Sequence, residues 1–245
     1  MNHRHLVLNE DSEFAFHCHD GLECFKTCCR DINIYLSPYD VLRMKNFLNL
    51  SSEDFLKEYT LKVQVPHTGL SIVQIDMSKD NKLRCPFITP KGCQVYQERP
   101  WSCRMAPVDM LGGGKYSFIF ESSHCHGLNE TKKQTVKDWL QDQGLEIYDE
   151  TEQGFNEIPN HLKLTGNPET DEKLKQLFFM ACYDIDRFRT LLMNNPSLYE
   201  ELSLDQEAID EIKHNDVQLM KFGFKLLCLG SKPLTNLIIN INGIN

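Results

Sequence analysis

The sequence predicts an α+β, mainly helical fold: an irregular, cysteine-rich part with short β-hairpins, followed by a helical C-terminal part. Three observations lead there. Cys18, Cys24, Cys28, Cys29, Cys85, Cys93, Cys103 and Cys125 all precede Gly127, in stretches where apolar residues keep no long periodicity. Pro86, Pro90, Gly92, Pro100 and Pro107 interrupt residues 77 to 109 and forbid long regular elements there. Beyond Gly127, apolar residues recur at intervals of three and four, as on the buried face of a helix.

Taken in order, Ser37-Pro38-Tyr39-Asp40 supplies an N-cap hydroxyl, a proline at the first helical position and a carboxylate at the third, so a helix is predicted to about Leu48. Ser51 and Asp54 repeat the pattern for a shorter helix with Phe55, Leu56 and Tyr59 on one face. Both helices are expected to support the first cysteine group. From Leu61 to Asp76 the period changes to two: Val63 and Val65 alternate, Pro66 to Gly69 reads as a turn, and Ile72, Val73 and Ile75 resume, which is a hairpin. Gly112 to Gly114 turn into a strand with Tyr116, Phe118 and Phe120. Val136, Trp139 and Leu140 mark a helix ending near Gly144. Asn167-Pro168 opens another, with Leu174, Leu177, Phe178, Ala181, Ile185, Phe188 and Leu192 in helical spacing until Asn195-Pro196. Ser203 and Gln206 resemble a capping box for a last long helix through Ile209, Ile212, Leu219 and Leu227 to about Gly230. Two regions follow: 1–127, a cysteine-cluster domain, and 128–245, an acidic helical region expected to pack on it.

The net charge of −9 is uneven, with 14 Lys and Arg against 15 Asp and Glu up to Cys125 and 12 against 20 after it. An acidic surface repels phosphate backbones, and no basic stripe interleaves with aromatics, so nucleic acid is excluded as the expected partner. No apolar run reaches the length of a spanning helix, and the polar start MNHRHLVLNEDSEF lacks a signal-peptide core, so the expected location is the cytoplasm, away from membranes. In that reducing compartment ten cysteines point to metal or redox chemistry rather than disulfides, a secreted disulfide protein being the alternative.

The thiols concentrate in FHCHDGLECFKTCC, where four fall within twelve residues. No C-x2-C pair of the zinc-ribbon or thioredoxin kind is present, and Asp31 stands where the third thiol of a C-x3-C-x2-C radical motif would be. Cys28 and Cys29 are adjacent, and successive side chains diverge in extended backbone, so they suit two metals or two corners of one cluster. Lys26, Arg30, Arg84, Lys91 and Arg104 lie within two positions of a cysteine and Arg99 lies four from Cys103, where cations lower thiolate pKa values and offset an anionic site. His17, His19, His124 and His126 flank Cys18 and Cys125 as candidate spare ligands or donors to the ligands. Cys182 and Cys228 stand in apolar helical stretches and are expected to pack as small hydrophobes. Leu111-Gly-Gly-Gly-Lys115 lacks the first glycine and the hydroxyl of a phosphate loop, and no dinucleotide fingerprint or Ser-His-Asp set can be singled out.

The stretches FHCHDGLECFKTCCRDINIYLSPYDVLRMKN, CPFITPKGCQVYQERPWSCRMAP and HCHGL resemble the bacterial CxxCxxCC-type family described as putative zinc- or iron-chelating, over about Phe16 to Gly127. Its compact cysteine signature falls on Cys18, Cys24, Cys28 and Cys29, with the intervals widened to five and three, and its second motif on Cys85, Cys93 and Cys103. The resemblance implies a metal-chelating domain, often labelled an iron–sulfur oxidoreductase, in a family that includes flagellin lysine N-methylases. The expected cofactor is therefore an iron–sulfur cluster, with zinc as the alternative, held by the eight cysteines up to Cys125. Redox or protein-methylation chemistry would call for a redox partner or a protein substrate; a structural zinc module shaping a protein-interaction surface is the other reading.

Overall fold

The computed structural model describes residues 6–230 together with Leu234, Leu237 and Ile238. Its elements in chain order are β1 (Glu13–Ala15), β2 (Tyr35–Leu36), α1 (Pro38–Leu48), α2 (Ser52–Tyr59), β3 (Thr60–Gln64), β4 (Ser71–Ile75), β5 (Ile88–Thr89), β6 (Gly92–Cys93), α3 (Trp101–Met105), β7 (Val108–Gly112), β8 (Lys115–Phe118), β9 (Lys133–Thr135) and α4 (Val136–Asp142). Then come α5 (Glu146–His161), α6 (Pro168–Cys182), α7 (Ile185–Met193), α8 (Ser197–Glu201), α9 (Gln206–His214) and α10 (Asp216–Cys228). The fold is α+β and mainly helical, with short, separate sheets. Among the described residues no helix is long and apolar enough to cross a membrane.

The contacts divide the chain differently from a single cut after Gly127. Among the described residues, one compact unit comprises those up to Ile34 and Ile75–Tyr148; the other comprises Tyr35–Gln74 and those from Asp149 onward. All eight clustered cysteines belong to the first unit, whereas α1 and α2, expected to support the first cysteine group, belong to the second.

In the first unit β1 pairs antiparallel with β9, Glu13 opposite Thr135 and Ala15 opposite Lys133. The Ser12 and Glu10 carbonyls accept the first amides of α4, and Thr135 with Asp138 caps that helix reciprocally. This delivers Trp139 to Phe16, with ring centroids 5.2 Å apart at 85°, and to Phe14, which also meets Phe118 of β8 edge-on. The Trp139 indole N–H is satisfied by the Met105 carbonyl at 3.0 Å. β7 and β8 form the hairpin read from the triple glycine: Gly112, Gly113 and Gly114 all have positive φ, which glycine adopts without penalty.

In the second unit the capping residues act as their sequence suggests. Ser37 and Asp40 close a reciprocal capping box on α1, and the Ser51 hydroxyl accepts the Asp54 amide at 3.1 Å. β3 and β4 form the expected hairpin, which β2 extends on the β4 side into three strands. The helix opened by Asn167-Pro168 does not run to Asn195 as one piece. It stops at Cys182 and restarts as α7, because the Tyr183 and Asp184 amides both turn back to the Phe179 carbonyl. The turn seats Tyr183 against Phe155, Phe178 and Phe179. Nor is there one long helix from Ser203: Asp205 caps α9, and Asn215 accepts the Val217 and Gln218 amides to start α10. α10 then crosses α6 closely at Gly223, where a Cβ would lie 3.0 Å from the Ala181 carbonyl oxygen.

Lys45 is nearly buried in this unit, its ammonium 3.4 Å from Asp186 and 3.7 Å from Asp216. The Asp186 carboxylate also accepts the Ser52 amide and hydroxyl at 2.7 and 3.0 Å, and Asp216 pairs with Arg189. A buried ammonium is tolerated only with such partners.

Candidate metal centre

The first cysteine loop is built from successive short turns. Leu22 donates to the His19 carbonyl, Phe25 to Leu22, Thr27 to Cys24 and Cys29 to Lys26. Winding the chain this tightly places Lys26 at φ 71° and Asp31 at φ 50°, a left-handed conformation that costs a residue with a Cβ roughly 1 kcal/mol. The second loop is fastened directly to the first: the Cys85 amide donates to the Cys29 carbonyl at 2.9 Å, Asp31 donates to Leu83 at 2.9 Å, and Arg30 bridges Arg84. Leu83, with φ 53°, is a third strained residue at this junction. The segment after β8 joins through the His126 amide, 3.2 Å from the Cys24 sulfur, and through Gly127, whose carbonyl accepts the His17 amide at 3.1 Å.

These ties gather the eight thiols into two sets. Cys18 and Cys125 each feel the charge of both Cys24 and Cys28. The four line one cavity of about 390 Å³, together with Arg30, Glu121 and His124. Cys29 instead feels Cys85 and Cys103, Cys85 feels Cys93, and the Arg99 guanidinium lies near both Cys93 and Cys103. The vicinal pair is the seam between the sets, Cys28 on one side and Cys29 on the other, joined by a hydrogen bond between their side chains.

Electrostatics follow from this crowding. The hydrogen bond from Cys29 lowers Cys28 to about 7, and the same bond, with burial, drives Cys29 well up. Burial pushes Cys85 and Cys125 up to about 11 and raises Cys18 and Cys93. Opposing that trend, backbone amides aim at the sulfurs: Phe87 at Cys85, Val95 at Cys93 and Leu128 at Cys125, as His126 does at Cys24. Amide donors favour the thiolate, and burial without a counter-charge disfavours it. A cation among the sulfurs satisfies both tendencies, and thiolate sets of four are ligands for zinc or iron.

The flanking cations divide by role. The Arg99 charge opposes the burial that raises Cys93. Arg104 is structural: its guanidinium donates to the Arg99, Gln143 and Gln97 carbonyls, which fixes the turn carrying Cys103. Arg84 is held by Asp80 at 2.6 Å, and Lys26 donates to the Pro90 carbonyl at 2.8 Å. Cys182 is buried and Cys228 half-buried, both in the second unit, where each is raised chiefly by burial.

Of the flanking histidines, His124 borders the cavity and contacts the Ser123 hydroxyl at 3.2 Å, while His126 contributes its amide. His17 and His19 pair instead with Glu130, a residue with no motif to single it out in the sequence. Its proximity arises from the β1–β9 pairing, a long-range contact that spacing does not encode.

Comparison with known proteins agrees with this geometry. Residues 17–137 match the model of the CxxCxxCC family, described as a putative zinc- or iron-chelating domain. No curated protein and no solved structure matches the chain.

Proposed function

Because residues 17–137 make this chain a member of the CxxCxxCC family, we propose that its thiols hold iron–sulfur centres, one set formed by Cys18, Cys24, Cys28 and Cys125 and the other by Cys29, Cys85, Cys93 and Cys103. The observation that carries the reading is the grouping of the thiols into all-cysteine fours: Cys18, Cys24, Cys28 and Cys125 line one cavity of about 390 Å³, while Cys29 lies near Cys85 and Cys103, and Cys93 near Cys85. Room among four thiols suits a polynuclear cluster, which takes one cysteine on each iron.

Such a cluster supplies one-electron transfer when bound. The chain's own residues set the conditions for it. Amides of Phe87, Val95, Leu128 and His126 direct hydrogen bonds at sulfur, and the Arg99 charge lies beside Cys93 and Cys103. Both favour added negative charge and so raise a reduction potential. The first set, beside its cavity, is the one a protein substrate or redox partner would reach. A pair of structural zinc sites shaping an interaction surface is the second reading, favoured by the thiol-only donor sets.

The visible spectrum of anaerobically purified protein tests the proposal. Broad charge-transfer absorption that bleaches with dithionite is expected. A colourless protein carrying zinc would overturn it.

A further inference from the structure

His17 and His19 are not among the residues that line the thiol cavity. Cys18 borders the cavity of the first thiol set, whereas the two imidazoles lie together with ring centroids 5.1 Å apart. Across from them, Glu130 places Oε1 at 3.8 Å from His19 Nε2. One ligand atom from each of the three residues lies within 4.8 Å of the others, the one such group among the described residues.

We propose that His17, His19 and Glu130 bind a divalent first-row transition-metal ion of the zinc or ferrous class, at a site separate from the thiol sets. Two neutral imidazoles and one carboxylate suit a borderline ion, whereas calcium and magnesium take oxygen donors. Three protein ligands leave the ion room for water or a substrate oxygen. His17 is exposed and the other two are half-buried, so an ion and its water have access.

The scaffold for this site stands without metal. The Phe16 amide donates to the Lys132 carbonyl at 2.9 Å, continuing the β1–β9 register, and the His17 amide donates to the Gly127 carbonyl at 3.1 Å, so the chain is tied on either side of Glu130. Gly127 permits the approach: a Cβ there would lie 2.9 Å from the Phe16 ring and 3.1 Å from the His17 carbonyl oxygen. His19 Nδ1 accepts the Gly21 amide at 3.2 Å, which puts the neutral ring's proton on Nε2, toward Glu130. Ligation through Nε2 moves that proton to Nδ1 and opens the Gly21 contact, exchanging one long hydrogen bond for a metal bond. None of the eight thiols takes part, so the site stands whether those hold iron–sulfur or zinc.

The test is titration of the full chain, purified anaerobically with its thiol sites loaded, with Co²⁺ and with Zn²⁺. The wild type is expected to take up one further equivalent, with a weak d–d cobalt spectrum and no sulfur-to-cobalt charge transfer. The H17A/H19A and E130Q variants are expected to weaken that equivalent by more than the ~10–100-fold that loss of an outer partner costs, while keeping thiol-bound metal and circular dichroism unchanged. Equal uptake by wild type and variants overturns the proposal. So does loss of thiol-bound metal from a folded H17A/H19A variant, which would assign the imidazoles to the thiol sets.

Discussion

Cys28 and Cys29 are adjacent in the chain yet belong to different thiol sets, Cys28 facing Cys18 and Cys125 while Cys29 faces Cys85 and Cys103. Serine at Cys28 is therefore expected to deplete the first set and spare the second, and serine at Cys103 to do the reverse. Each variant should retain about half of the bound metal, and the double variant almost none. Metal analysis of the three proteins checks this; complete loss in either single variant would indicate one shared centre.

Metal should also support the first unit's fold. Its cysteine loops are short turns and two-residue strands, so binding free energy at sites formed only in the native state is folding free energy. Chelation is expected to make residues 16–34 and 75–127 protease-sensitive while most helical circular dichroism persists. An unchanged cleavage pattern in chelated, metal-free protein would contradict this.

Much of this was legible in the sequence where the signal is local. Ser37, Pro38 and Asp40 define α1, and the glycines at 112 to 114 define the β7–β8 turn, because caps and positive-φ turns depend on the residues that form them. The break at Tyr183-Asp184 was not legible, since apolar spacing continues through it and no glycine or proline marks it; aromatic packing around Tyr183 accompanies the turn. The Asp205 and Asn215 caps were hidden inside a longer apolar pattern. At the site, the cysteines declared themselves by density, but their division into fours depends on Cys29 bonding to Cys85 and His126 to Cys24, contacts 56 and 102 residues apart in sequence.

Gly223 offers a test of the α6–α10 contact. Alanine normally gains about 1 kcal/mol over glycine inside a helix. Here its methyl would meet the Ala181 carbonyl oxygen at 3.0 Å and the Ala181 Cβ at 3.1 Å, where overpacking costs about 1–3 kcal/mol. Gly223→Ala is expected to lower stability by about 1 kcal/mol in urea denaturation; a gain would show that the helices separate freely.

Glu152 sets a pH dependence. Burial raises its carboxyl to about 7, with Asp40 and Asp149 adding to the rise and a Ser37 hydrogen bond opposing it. A raised carboxyl contributes stability below its unfolded pKa of about 4.3 and loses it as pH rises through the folded value. Glu152→Gln should flatten this part of the profile and exceed the wild type at pH 8 by about 1 kcal/mol after allowance for solvent screening. Parallel pH profiles for the two proteins would contradict the assignment.

Cys182 is buried in the second unit, whereas the eight clustered thiols belong to the first. Cys182→Ala is expected to cost about 1 kcal/mol through lost packing. Metal content should stay unchanged; a folded variant that loses metal would place this thiol in the metal chemistry.

The most direct test of the central claim is quantitative iron, zinc and acid-labile sulfide analysis of protein purified without oxygen. The account predicts iron and sulfide in near-equal amounts, with little zinc, and loss of both when the eight clustered cysteines are replaced. Stoichiometric zinc without sulfide, removed by the same replacements, would contradict it.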